Sequence, residues 1–258
     1  EGVPLGTQSQ WGWHSFANPN HVRPEDAYEV KDFGRGHKEI YSAQFKKGHP
    51  QHDASEWLRQ NPHRLHLGTV GLNLKNPRLL HDVSESLNLW TGMVKSTFYY
   101  HKDKYEVRTV CSPDHDKIAS SVVSSTNPEI LLSFAYPTGG HSDDACDWTK
   151  DDKHHTEILS MTKNSAIMKR TIDATVYYLR VTWTGNAEIK ECSRNHYALK
   201  SRGKALGFTV EFSENEKMTD NSDFNSMATA SARFWQNYWN EGGVVDFAHV
   251  KDLRAKEV

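Results

Sequence analysis

Residues 94–111 read VKSTFYYHKDKYEVRTVC. Val94, Ser96, Phe98 and Tyr100 share one parity, and after the polar break at 101–104 Tyr105, Val107, Thr109 and Cys111 form a second alternating run. Side chains of a strand alternate between faces, so a two-residue period marks a strand with one buried face, and a polar tetrad between two such runs marks a hairpin. Upstream, Leu65 and Leu67 alternate with Arg64 and His66; Val70, Leu72 and Leu74 continue on the other parity beyond Gly68, which predicts a bulge at that glycine. Leu87 and Leu89 alternate next. Downstream come Ile118, Ser120 and Val122, then Ile130, Leu132, Phe134 and Tyr136. After a polar stretch at 137–155, further strands are expected at 157–161, 166–171, 176–183, 187–191, 196–200 and 206–212, with Gly185-Asn186 as a turn. About a dozen short, evenly spaced strands predict an all-β fold, an antiparallel sandwich or barrel, and not an alternating βα chain.

The two ends differ from this middle. The first ~60 residues are dense in Gly, Pro, Asn and His and read as long loops with a short helix at 54–60; loops of such length are often functional. Near the other end, Phe224, Met227, Ala228, Ser231, Trp235 and Tyr238 recur at three- and four-residue steps, the stripe of an amphipathic helix. Asn221 or Ser222 is the expected cap, and Gly242-Gly243 the expected left-handed stop. Residues 243–258 read as a segment leading elsewhere.

The chain has 258 residues, with 31 Lys plus Arg against 33 Asp plus Glu, a formal charge of −2. That balance argues against a nucleic-acid partner, which calls for a basic excess on one face. No apolar run approaches the ~18 residues of a membrane-spanning helix, so no membrane partner is expected. Eight Trp among 11% aromatics make a buried core feasible. Cys111, Cys146 and Cys192 match no metal or redox spacing; one bridge or three free thiols are both open. The 15 His are scattered without zinc-ligand spacing, and no nucleophile elbow or phosphate loop is present, so neither a metal nor a cofactor is expected.

Two segments carry candidate chemistry. In 11–16, WGWHSF, three aromatics and an imidazole crowd six residues. If extended, it sets Trp11 and Trp13 on one side and His14 and Phe16 on the other. An indole can stack on the C–H face of a sugar ring while imidazole and hydroxyl bond ring hydroxyls; the alternative is a loop tied down by buried aromatics. In 141–148, HSDDACDW, Asp143 and Asp144 can accept paired bonds from adjacent sugar hydroxyls, with Trp148 alongside. Calcium competes for such carboxylates, but the EF-hand Gly and distal Glu are missing; a solvated acidic loop is the remaining reading. Trp11, Trp13, His14, Asp143, Asp144 and Trp148 are therefore the sugar-binding candidates. On the terminal helix, Phe234, Trp235, Tyr238 and Trp239 exceed one stripe: Trp235 and Tyr238 are expected on the sheet, leaving Phe234 or Trp239 for a second domain.

The segments GVPLGTQSQWGWHSF (2–16), WLRQNPHRLHLG (57–68), LNLWTG (87–92), HSDDACDW (141–148) and FWQNYWNEGGVVDF (234–247) resemble the N-terminal part of six-hairpin glycosidase-like proteins, the clan of the maltose-phosphorylase-like enzymes. The resemblance implies an antiparallel super-sandwich similar to galactose mutarotase over about 1–215, a linker helix at 221–242, and an (α/α)6 barrel that carries the general acid. No barrel precedes Val258, so the chain is expected to be a fragment without catalytic residues; a periplasmic or secreted setting is favoured. The function expected is that of a non-catalytic accessory domain bordering a saccharide site and docking a helical catalytic domain. Two alternatives stand beside it. One is a self-sufficient mutarotase-type enzyme using His14 or His66 with an Asp of 143–147 as base and acid. The other is a structural module without a sugar site.

Overall fold

The structure is a computed structural model. It describes every residue except 1–4, 8, 43–44, 141–144, 219, 248 and 257–258. Two antiparallel sheets dominate it. The larger has eight strands in the order His154–Met161, Ser165–Ile172, Thr175–Trp183, Ala205–Ser213, Lys117–Ser124, Asp103–Cys111, Met93–Tyr100, Leu80–Asn88. The smaller orders Leu5–Thr7, Gly68–Leu72, Glu129–Ser133, His196–Ser201 and Ala187–Ser193. The decisive hairpin forms as read: Val94 lies opposite Thr109 and Phe98 opposite Tyr105, with the two rings stacked 5.2 Å apart.

One core joins the sheets. Ala166, Met168, Arg170 and Ile172 are buried in strict alternation, as are Tyr177, Leu179, Val181 and Trp183 on the next strand. The small sheet answers with Val70, Ile130, Leu132, Ile189 and Leu199. Each such aliphatic side chain contributes about 1.5–3 kcal/mol on full burial. Gly68 marks the parity change with φ +150°, and a Cβ there would meet the Phe134 ring at 2.7 Å, so the backbone and the phenyl share space only a glycine leaves open.

Several expectations need correction. The N-terminal region is not all loop. Besides a helix at His52–Gln60, it holds a hairpin of Tyr28–Asp32 and Lys38–Ser42 and a short pairing of Trp13–His14 with His63–Arg64. The hairpin was illegible because Val30 and Ile40, which face each other, are both 67% exposed, so no buried face imposed a period. Strand Leu80–Asn88 is an exposed sheet edge, not half-buried, and Leu89 lies beyond its end. The strand expected from His63 stops at Arg64, although Leu65 and Leu67 are buried.

The terminal helix spans Phe224–Glu241 and packs on the outer face of the large sheet, Met227 resting on Val110 and Ala119. Its cap is Asp223, whose carboxylate accepts from the Ser226 N–H at 2.9 Å. Asn221 and Ser222 serve elsewhere: the Arg180 guanidinium donates to Asn221 Oδ1, and the buried Lys117 ammonium to Ser222 and Asp220. Burial works to raise the Asp220 pKa, but hydrogen bonds from Ser222 and Lys117 prevail and hold it far below the carboxylate range. At the other end Gly242 is extended, φ −80° and ψ 175°, so the stop is not left-handed. Among the described residues no helix is long and apolar enough to cross a membrane.

Candidate functional site

One end of the sandwich gathers polar and aromatic side chains from four distant segments. Pairing of Trp13–His14 with His63–Arg64 sets the His14 and His63 rings side by side, their nitrogens 3.1 Å apart, with Phe16 edge-on to His14 at 5.0 Å. The two-residue pairing of Tyr136–Pro137 with Cys146–Asp147 brings Tyr136 in, its ring 6.0 Å from Phe16. Asp173 completes the group from the turn between Ser165–Ile172 and Thr175–Trp183, in the left-handed region at φ +50° that Asp tolerates better than most residues. Its Oδ2 accepts from the Tyr136 hydroxyl at 2.8 Å and lies 3.0 Å from His14 Nε2.

Hydrogen counting constrains the protons. His63 Nδ1 faces the Gln60 carbonyl at 2.7 Å, and His14 Nε2 faces the Asp173 carboxylate. Both ends are acceptors, so a fully bonded chain Gln60–His63–His14–Asp173 needs three N–H groups on two imidazoles, one more than two neutral rings carry. Burial first, and the His63 charge second, lower the His14 pKa, only partly countered by Asp173. Two neutral rings that keep the bonds to Gln60 and Asp173 therefore carry no hydrogen at the contact between the imidazoles. The His14 side chain has no exposed area, whereas Asp173 is 41% exposed; the carboxylate is the group a solute can reach. Burial, then the bond to Asp173, pushes the Tyr136 phenol up to about 12, so it stays a donor at neutral pH.

Behind Tyr136 the cluster runs into the core. The His154 ring stacks on Tyr136 at 6.1 Å, and its Nδ1 accepts from the fully buried Arg170 at 2.7 Å. Thr156 Oγ1, Tyr177 Oη and the Ala135 carbonyl also accept from that guanidinium. Burial, then the Arg170 charge, lowers the His154 pKa to about 4, which keeps the imidazole neutral and accepting.

The sequence candidates separate. Trp11 is half-buried, donates to Asp116 Oδ2 at 2.7 Å and leans on Tyr177, which makes it a tie to the sandwich. Trp13 is 45% exposed, and the Arg64 guanidinium lies 4.4 Å from its ring centre. It faces away from His14, as strand alternation requires. Trp148 is 37% exposed between His66 and His196, each ring 6.4 Å away. Asp143 and Asp144 lie outside the described residues. Asp147 is held below its usual pKa by the Thr149 hydroxyl and N–H. Among the described residues the carboxylate on His14 is Asp173; Asp173, His63 and Tyr136 were not singled out from sequence, and the gap between the strands expected at 166–171 and 176–183 was the sole trace of the first. On the helix, Trp235 lies half-buried near Gly92, as expected, but Trp239 and not Tyr238 is the second sheet-side ring: its Nε1 donates to the Leu89 carbonyl at 2.6 Å, while Phe234 and Tyr238 are 45% and 48% exposed. Among the described residues no group of three His, Cys, Asp or Glu is arranged to hold a metal ion, and Cys111 and Cys192 are exposed thiols.

No family model matches the chain, and no curated protein matches it. Among solved structures it is similar to one described as a kojibiose phosphorylase from the human microbiome, at 12% identity and TM-score 0.42 over 67% of this chain and 28% of that one. It is also similar to a bacterial glucoamylase complexed with acarbose, at 7% identity and TM-score 0.43 over 62% of this chain and 29% of that one. The chain spans less than a third of the length of either structure.

Proposed function

We propose that this chain is a non-catalytic sandwich domain of a carbohydrate-active enzyme. Its His14–Asp173 end borders a saccharide site, and its terminal helix docks a helical catalytic domain of the same parent protein. The observation that carries the reading is the exposed Asp173 carboxylate, fixed by His14 and Tyr136 at an end of the sandwich where Trp148 is 37% exposed. A carboxylate can accept bonds from sugar hydroxyls, and an exposed indole offers a flat apolar face for a sugar ring. Phe234 and Tyr238, solvent-exposed on the helix, are the residues for the second domain.

The His14–Asp173 pair favours a second reading, a mutarotase-type acid–base enzyme. Against it, the imidazole has no exposed area through which to reach a substrate. The test is titration of the 258-residue chain with maltose, maltotriose and cellobiose, followed by tryptophan fluorescence and melting temperature, with anomer interconversion and hydrolysis assayed in parallel. A response lost in Trp148→Ala and Asp173→Asn, without turnover, supports the accessory reading. Turnover abolished by Asp173→Asn makes the chain an enzyme, and no response to any sugar makes it a structural module.

A further inference from the structure

A second polar site lies away from the His14 end, on the outer face of the large sheet. One row of paired residues crosses that face: Val110, Ala119, Thr209, Thr182, Ser165. The row is apolar where Met227 of the terminal helix covers it and turns to hydroxyls beyond the helix. There a groove of about 290 Å3 opens between the turn after Met161, the Thr182 and Thr209 strands and the first residues of the helix. A surface meant only to seat the helix would continue the apolar row; here it does not.

The chemistry of the groove is specific. Thr182 and Thr209 bond each other at 2.7 Å on its floor, and Thr162 and Ser165 at 2.8 Å on its rim. A pair of hydroxyls shares one O–H and keeps a second with spare lone pairs; Thr209 is 1% exposed, so on the floor it is Thr182 that faces a solute. Asn164 spends its amide hydrogens on the Trp183 and Gly185 carbonyls and offers its Oδ1. Gly207 keeps the floor open: a Cβ there would sit 2.9 Å from Thr184 Oγ1. Arg180 lines the groove but is engaged by the Met218 and Asp220 carbonyls and by Asn221, while Asp223 brings a negative charge, so an anion is disfavoured. Phe224 supplies one aromatic wall.

We propose that this groove binds a neutral, polyhydroxylated ring the size of one pyranose. The hydroxyl pairs of the floor and rim hold it, and its C–H face packs on Phe224. The volume sits at the lower end of small-ligand pockets, ~300–1,000 Å3, which suits a single ring and not a chain. The inference stands independently of the saccharide reading of the His14 end.

The test is saturation-transfer NMR on the 258-residue chain with glucose, galactose and mannose, and with glucose 1-phosphate as the charged comparison. The result expected is transfer from at least one neutral sugar that persists in Trp148→Ala and is lost in the double variant Thr182→Val, Thr209→Val. Replacing both partners of a hydroxyl pair by isosteric apolar groups is nearly neutral for stability, so the double variant is expected to fold. If it does not, Gly207→Ala, whose Cβ presses on Thr184 Oγ1 at the groove, takes its place. No transfer from any neutral sugar overturns the proposal, as does stronger binding of the phosphate ester. A signal that survives the groove variants but vanishes in Trp148→Ala also overturns it, and would assign binding to the His14 end.

Discussion

His14 and Asp173 are 159 residues apart in the chain and 3.0 Å apart in space. The contact ties the N-terminal segment to a hairpin turn of the large sheet and aims a half-exposed carboxylate outward. Asp173→Asn keeps the shape and one acceptor oxygen but removes the charge that draws hydrogens from both His14 and Tyr136. Hydrogen bonds to charged groups contribute about 1.5–3 kcal/mol when buried; with Asp173 this exposed, a loss of roughly 1 kcal/mol is expected in urea unfolding. An unchanged midpoint would mean that the cluster does not anchor the N-terminal segment.

The buried histidines predict a pH dependence with a definite sign. His154 titrates near 4 in the folded chain against 6.5 for a free imidazole. Between those values the unfolded state binds more protons than the folded one, so stability rises with pH. The stabilisation is complete above 6.5, is lost as pH falls toward 4, and is on the order of 3 kcal/mol for this shift. His14, also lowered, adds to the same trend. His154→Asn places an amide oxygen near the Nδ1 position, retains an acceptor for Arg170 and removes the titration; its melting temperature is expected to fall less steeply between pH 6.5 and 4. Parallel curves for both chains would remove His154 as the cause.

Arg170 is fully buried, and the groups bonded to it are a neutral imidazole, an amide, hydroxyls and a carbonyl. Its charge is spread over oriented dipoles, and the guanidinium in turn satisfies polar atoms of two strands and of the connecting segments at Ala135 and Asn195. Arg170→Ala leaves His154 Nδ1 and the Ala135 carbonyl without the Arg170 donor and opens a void beside Phe134. A cost of about 3–5 kcal/mol is expected, read as a shifted denaturant midpoint at constant slope. Arg170→Lys cannot span the same fork and is expected to recover only part of it.

How far the sequence revealed this molecule depended on whether a residue's role was local. Phe98 and Tyr105 announced their hairpin because burial of one face writes a two-residue period into the chain. Val30 and Ile40 form an equally regular hairpin but bury neither face, so nothing in the pattern distinguished them from loop. The exposed Trp148 was marked by composition, whereas Trp11 proved to be a half-buried strut, a difference set by its neighbour Tyr177 and its distant acceptor Asp116. Asp173 looked like any turn aspartate, because its significance lies in His14 and Tyr136, which only the closed sandwich brings near. Tyr238 and Trp239 were exchanged for a subtler reason. Adjacent helical positions differ by 100° around the axis, and it is the Leu89 carbonyl on the facing loop, not the helix itself, that selects Trp239.

The seating of the terminal helix rests on one backbone position. Gly92 lies in the left-handed region at φ +63°, and a Cβ there would overlap the Trp235 indole and crowd Ser231 Oγ, which itself donates to the Thr91 carbonyl. Gly92→Ala therefore combines backbone strain of about 1–2 kcal/mol with a steric clash that either unseats Trp235 or displaces the loop. Gly243→Ala serves as the control, since a Cβ there meets open space at a negative φ. The expected outcome is faster proteolysis within Phe224–Glu241 and a lower melting temperature for Gly92→Ala, with Gly243→Ala unchanged. The outward pair behaves differently. Phe234→Ala with Tyr238→Ala is expected to leave the melting temperature within about 1 °C, because exposed surface side chains contribute within ±0.5 kcal/mol. Loss of stability comparable to that of Trp235→Ala would mean that these rings are already spent on this domain and are not held for another.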